Sequence, residues 1–453
     1  MLSSHRAPRS LTRLALSLSL VLAVLCLGVP AAHATGRATA PITLKFQSWD
    51  PPDVTNQFIR TCEKLHPDIR VQTLNVPGDY AVKMETEFAA GKAPDFFYAP
   101  DADALKWAQK GVILNLLPYL KTMGINPIKD FLPQSQYWAD GKVGGQFLGA
   151  AVATEDIYLF YDKNVFAQAG VAAPPSDVAH AWTWPQFLAV ARRLTVDRHG
   201  HHPGQAGFDA RHIVRYGVSL DPTYWPDILP LIYSNGGQIF DKTNRHFVMD
   251  QPAASDAVQA VVDLALKEHV MPTPTQMTTG AGSITLGSGR LAMQIDGNWA
   301  IYFDQNPKKT FPLGIGVLPK FKVYRTVVEG APLVAWAKTA HPRQAAQMIA
   351  CVYQNSAPLW RSGIWMPTSN KDLFGPDSEK WTSTPIHPAN FRSVAIDSLK
   401  YAQDTPILHV AKFAQVWSNL VTPAINQVQS GKKSARAAFT SIKAQVDALL
   451  AQK

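Results

Sequence analysis

The 453-residue chain carries 43 Lys and Arg against 34 Asp and Glu, a formal net charge of +9. The basic excess is spread out, with no Lys/Arg run and no arginine–aromatic interleaving, so it speaks for solubility and against a nucleic-acid partner. A chain this long exceeds one compact core and calls for two domains.

Arg6, Arg9 and Arg13 form a positive leader, and Leu14 to Val29 is apolar apart from Ser17 and Ser19. Ala32-His33-Ala34 then supplies a small-x-small cleavage pattern. Residues 1–34 therefore read as a signal peptide cut after Ala34, giving a free periplasmic or extracellular protein. The apolar run falls short of the ~20 residues a membrane span needs. Leu25 precedes Cys26 where a lipidation signal wants a small residue, so lipid anchoring is not expected. Cys62 and Cys351 each fall on the apolar face of a predicted helix. They read as small buried hydrophobes, with a bridge in an oxidising compartment as the alternative.

From residue 41 strand and helix signals alternate, the pattern of α/β layers. Ile42, Leu44 and Phe46 alternate as a strand; Val54, Phe58, Cys62 and Leu65 then fall at helical spacing. VQTLNV is a strand, Asp79 is placed to cap the next helix, and Asp95 to Pro100 reads as a buried parallel strand. Ile157 to Tyr161 is a strand, and Thr183 with Gln186 forms a capping box. YGVSL is a strand, Ser234 to Gly237 a tight turn, and Val258, Val261, Val262 and Ala265 share one helix face. In GRLAMQIDGNWA, Leu291, Met293 and Ile295 alternate as a buried strand that Gly297 ends. Asn298 is a good cap, putting Trp299 on a first helical turn, a corner that serves a core or a cleft equally. Past Leu313 come two strands, LGIGVLP and PLVAWA, a helix from Pro342 to Tyr353, and an all-helical end.

Six segments, taken in order, resemble the extracellular solute-binding proteins of ATP-driven importers, in their maltose-binding-like carbohydrate branch (family 1). They are FAAGKAPDFFYAPD, EDIYLFYDKNVFAQAGV, TWPQFLAVARRLT, Asn235 to Gly237, GRLAMQIDGNWA and SGKKSARAAF. The resemblance spans the mature chain and implies a periplasmic-binding-protein fold, α/β, with two interwoven lobes joined by three crossovers around a ligand cleft. It assigns 35–152 plus 317–362 to the first lobe and 153–316 plus 363–453 to the second. The second crossover is expected at Gly316 to Pro319 and the third near Gly363 to Pro367. A non-enzymatic, monomeric binding component is implied, with a sugar as ligand, permease subunits as partners, and neither cofactor nor metal.

A sugar presents hydroxyls at its rim and C–H patches on its faces, so its site needs carboxylates or amides beside flat aromatics. The positions matching the family's ligand set carry such groups. Trp49 and Asp50 end the first strand, Tyr98 and Asp101 end the DFFYAPD strand, Glu155 lies at the first crossover, and Trp299 is the matching aromatic of the second lobe. Tyr80, Trp225 and Trp365 are weaker candidates. Trp49 and Trp225 serve equally as loop cover, Tyr98 as core, Asp101 as a cap for ALKWAQKG, and Asn298 as a cap; Glu155 has no evident structural task. Ala102 departs from members with a basic residue there, which leaves the sugar's identity open. No Arg or Lys aligns within the set, against an anionic ligand, although Arg290 and Arg361 stay open.

Two rivals belong to other classes. A secreted glycosidase would use Asp101 and Glu155 as its carboxyl pair, but no nucleophile elbow, HExxH or phosphate loop accompanies them. Gly280 to Gly289 is glycine-rich without the P-loop Lys. Metal capture would use His199, His201 and His202, which read instead as a solvated loop.

Overall fold

The computed structural model describes residues 40–279, 284–300, 311–355, 366–376, 378–382 and 387–452. Leu44 and Phe46 are fully buried and fix the inner face of β1 (Ile42–Ser48). That strand pairs in parallel with β2 (Ile69–Asn75) and β3 (Phe96–Tyr98), and β12 (Leu333–Ala335) runs antiparallel to β3. The result is a four-stranded sheet in the order β12-β3-β1-β2. Phe46 stacks on Phe96 with centroids 4.8 Å apart and meets Phe58 edge-on from the helix Pro52–Leu65. Val54, Phe58 and Cys62 are buried as their spacing predicts. Leu65 is not: it is the last residue of the helix and is 58% exposed.

The second sheet is built on β6 (Glu155–Asp162), in the order β13-β11-β6-β9-β8-β7, with β10 also paired to β6. Its other members are β7 (Val196–Asp197), β8 (Ile213–Ser219), β9 (Leu291–Gly297), β10 (Leu313–Gly316), β11 (Thr326–Glu329) and β13 (Ala402–Gln403). β9 runs antiparallel to β6 and parallel to β8. The capping box forms as predicted, Thr183 Oγ1 accepting from the Gln186 N–H at the head of the helix Trp184–Leu194. Asp79 does not cap: its φ of 49° is left-handed, and its side chain makes no cap bond to the helix Tyr80–Ala89. A cap carboxylate reaches the first turn from extended backbone instead.

Three chain passages link the sheets and lie side by side. Ala151 bridges Pro332 and Thr154 bridges Met366. The Val152 N–H donates to the Ala331 carbonyl at 3.0 Å, and the Thr154 N–H to the Met366 carbonyl at 2.7 Å. The chain leaves the second sheet after β11, not at Gly316 to Pro319, because Thr326 to Glu329 pairs with β13 and β6 before Leu333 joins β3. Gly330 makes this crossing feasible. At φ 147° it lies so close to β6's approach that a Cβ would sit 2.2 Å from the Ala153 carbonyl oxygen.

Cys62 and Cys351 form a disulfide, Cα–Cα 5.8 Å, tying the helix Pro52–Leu65 to the helix Pro342–Gln354. The reading of two reduced, buried thiols is therefore corrected: each cysteine is apolar-faced, but the two faces pack on one another, which no local spacing reveals. The bridge closes a loop spanning a sequence separation of 289 residues. Replacing both cysteines by Ser should lower unfolding free energy by about 2–5 kcal/mol, read by denaturant titration. The mature protein, denatured without reductant, should show no titratable thiol; finding two would reject the bridge.

Candidate ligand-binding site

The strand ends converge on one cavity of about 350 Å³. Trp49 and Asp50 follow the carboxyl end of β1, and Asp101 opens the helix Asp101–Gln109 after β3. Tyr224 and Trp225 follow β8, and Trp299 follows β9. Open α/β sheets present their crevice at these strand ends. Glu155 begins β6 and Glu329 ends β11, and the two glutamates stand opposite one another in the antiparallel register. Trp49, Asp50, Asp101, Glu155, Trp225 and Trp299 all line the cavity, together with Pro51, Pro100, Tyr224, Glu329 and Ala331.

Tyr80 and Tyr98 stand one layer behind. Trp49 rests edge-on against both, with centroids 4.9 and 5.3 Å away. Tyr98 is fully buried, and the Tyr80 hydroxyl donates to the Gln47 carbonyl at 3.0 Å. Both brace the indole of Trp49 and are not among the lining residues. Asp101 does not cap its helix. The cap position is Pro100, and the Asp101 carboxylate accepts from the adjacent Ala102 N–H. Trp365 and Arg361 lie outside the described residues.

Trp299 owes its place to Gly297. A Cβ on that glycine would fall about 2.0 Å from the six-membered ring of the indole, so only glycine lets the ring lie over the strand end. The indole also hydrogen-bonds Asp296 and meets Tyr224 at near right angles, centroids 6.1 Å apart. Asn298 ties this corner to the first passage through its amide, which donates to the Thr154 carbonyl at 3.3 Å. Its Oδ1 has no hydrogen-bond partner among the described residues, so the expected cap is not seen there.

Glu329 and Tyr224 are the residues that sequence reading passed over. Glu329 ends TVVE, a β-branched run closed by Gly330, which is itself a strand signal. Reading two strands instead of three past Leu313 hid both the strand and its acid. Tyr224 lies beside the chosen Trp225 and also lines a neighbouring cavity of about 490 Å³ that holds Asp221, Asp227 and Asp296.

The electrostatics are those of acids taken out of water. Burial pushes Asp50 up to about 8, opposed by the Tyr98 hydroxyl that hydrogen-bonds it. Burial likewise raises Asp101 to about 6, with the Ala102 N–H and a hydrogen bond with Glu329 acting against it. Glu329 is driven well above the usual carboxylate range by burial, then by the charges of Asp101 and Glu155. Of this pair, Glu329 is the one pushed further toward its protonated form. Behind them, fully buried Asp156 accepts from the Ile157 N–H and from the hydroxyls of Thr326 and Ser398, and is raised to about 7 by burial. Among the described residues, no three His, Cys, Asp or Glu side chains converge at metal-binding spacing. In the histidine tract, the rings of His201 and His202 sit against the carbonyls of Gly207 and Thr195.

The family model of the bacterial extracellular solute-binding proteins matches residues 45–357, and this chain belongs to that family. A Streptomyces antibioticus protein described as an uncharacterized lipoprotein in the oleD 5′ region is 29% identical over 301 residues, 62% of this chain. The chain spans 59% of that protein's length. Among solved structures, Lmo0181 of Listeria monocytogenes, bound to cycloalternan, superposes with a TM-score of 0.74 at 20% identity, covering 91% of this chain and all of that one. The GacH receptor of Streptomyces glaucescens, solved unliganded and with acarbose, gives 0.69 at 19% identity over 90% of this chain and 98% of its own. UgpB of Mycobacterium tuberculosis, bound to glycerophosphocholine, gives 0.71 at 18% identity over 91% and 98%. At these identities the likeness establishes the periplasmic-binding-protein fold.

The raised carboxyls make stability depend on pH. Asp50, Asp101 and Asp156 keep protons in the folded chain where the unfolded chain has lost them, so stability falls as pH rises through their folded values. His387, lowered to about 4 by burial, acts oppositely, but only below its ordinary value of 6.5. Lowering pH from 8 to about 6.5 should therefore raise the melting temperature in calorimetry. Asp50→Asn should flatten that slope; an unchanged slope would reject the assignment of Asp50.

Proposed function

We propose that this chain is the substrate-capturing component of an ATP-driven carbohydrate importer, a binding protein without catalytic turnover. The observation that carries the reading is the cavity wall itself: the indoles of Trp49, Trp225 and Trp299 stand beside the carboxyls of Asp50, Asp101, Glu155 and Glu329. Flat rings cover sugar C–H faces, while carboxyl oxygens accept hydroxyl protons. Relatives of the same fold solved with cycloalternan and with acarbose support the ligand class.

Capture proceeds in two stages. Groups following β1 and β3 of the first sheet, chiefly Trp49 and Asp101, hold the solute first. Trp299 and Tyr224 from the second sheet gain contact as the two halves close across the three passages. Closure is stabilised only by the difference in ligand affinity between open and closed states. The closed form then docks on membrane permease subunits.

Trp299→Ala should weaken binding of a saccharide found by thermal-shift screening by ~1–3 kcal/mol in titration calorimetry. Affinity equal to that of the unaltered protein would remove Trp299 from the site. For export, intact-mass analysis of the secreted protein should give a chain beginning at Thr35. A diacylglyceryl mass on Cys26 would instead join it to its lipoprotein relative.

A further inference from the structure

Four carboxyl groups, those of Asp50, Asp101, Glu155 and Glu329, line one cavity, and no Lys or Arg lines it among the described residues. Asp50 and Glu329 are 5% and 4% exposed, and Asp50 Oδ2 and Glu329 Oε1 have no hydrogen-bond partner among those residues. These acceptors are buried in the cavity wall and do not form a solvated acidic surface. Trp49, Tyr224, Trp225 and Trp299 complete the wall with aromatic faces.

A neutral saccharide meets only half of this demand. Its hydroxyls give each carboxyl oxygen a donor, yet bring no charge to offset the cost of ionising acids held away from water. A protonated amine offers up to three donors and a full positive charge, and aromatic faces attract it further. We propose that the cleft takes a polyol bearing a protonated nitrogen, an amino sugar or aminocyclitol, in preference to a neutral saccharide. This rests on the sugar-capture reading above and narrows it. The nitrogen sits among Asp50, Asp101 and Glu329, and the hydroxylated ring lies against Trp49 and Trp299.

The charged and titratable groups facing this point come from every element around it. Asp50 follows β1, Asp101 and Asp103 open one helix, Glu155 begins β6, Glu329 ends β11, and Asp227 adds its field to Glu329 from the helix Trp225–Ser234. Tyr98, Tyr137 and Tyr224 are all raised and stay neutral. Among the described residues every charge contributed is negative, so a cation is favoured most when the acids are ionised. Its binding releases protons, and affinity for it rises with pH.

The test is titration calorimetry of the mature protein at about pH 7.5 and pH 5.5 with three probes: kanamycin A, maltotriose and spermidine. Kanamycin A and maltotriose each present three six-membered hydroxylated rings, only the first carrying amines; spermidine carries amines without hydroxyls. Kanamycin A should bind at least ~10-fold tighter than maltotriose at the higher pH, the scale of one charge-assisted bond. The margin should narrow at the lower pH, and Glu329→Gln should narrow it at pH 7.5. Maltotriose binding as tightly as kanamycin A, or tighter, at both pH values overturns the inference and leaves sugar capture standing. Spermidine binding with neither ring compound overturns sugar capture as well. Failure of kanamycin A alongside a neutral saccharide hit from the thermal-shift screen overturns the inference alone.

Discussion

Carboxyl groups withdrawn from water, with no Lys or Arg beside them among the described lining residues, are the constraint around which this cleft is organised. Asp50 and Glu329 are almost wholly buried, and Asp156 behind them entirely so. Such groups either find donors or hold their protons, and the cleft uses both devices. Asp156 collects donors from Thr326, Ser398 and its own strand. Glu329, beside Asp101, is pushed toward its protonated form instead, and Asp50 leans on the Tyr98 hydroxyl.

The backbone makes that arrangement possible. Glu155 and Glu329 face each other because β6 and β11 pair in one register. A slip of one residue would turn Glu329 to the opposite face and replace it with Val328 or Gly330. The same two strands lead into the passages that join the sheets, so the acids sit where the two halves meet. Few main-chain bonds cross there, chiefly those of Val152 and Thr154. The Cys62–Cys351 bridge joins two helices, Pro52–Leu65 and Pro342–Gln354.

Much of the site was legible in the residues. Trp49, Asp50, Asp101 and Trp299 were placed at strand ends, Glu155 at a crossover and Trp225 as a weaker candidate, and one cavity gathers them. Glu329 escaped because its strand is four residues long and lies close to two others, so that alternation had little length over which to register. Tyr80 and Tyr98 were put at the ligand but stand behind Trp49. Sequence position marks the end of a strand, whereas the layer a ring occupies depends on what packs over it.

The sequence by itself determined the α/β alternation, the Gly297–Trp299 corner and the acidic, aromatic character of the cleft, because each is written in neighbouring residues through period, turn chemistry or composition. Only the tertiary structure decided that Cys62 meets Cys351, that β11 carries Glu329 opposite Glu155, and that Asp101 and Glu329 come together in one cavity wall. These are contacts between residues up to 289 positions apart. They are fixed by strand register and helix packing, which depend on the whole core and leave no mark in any local window.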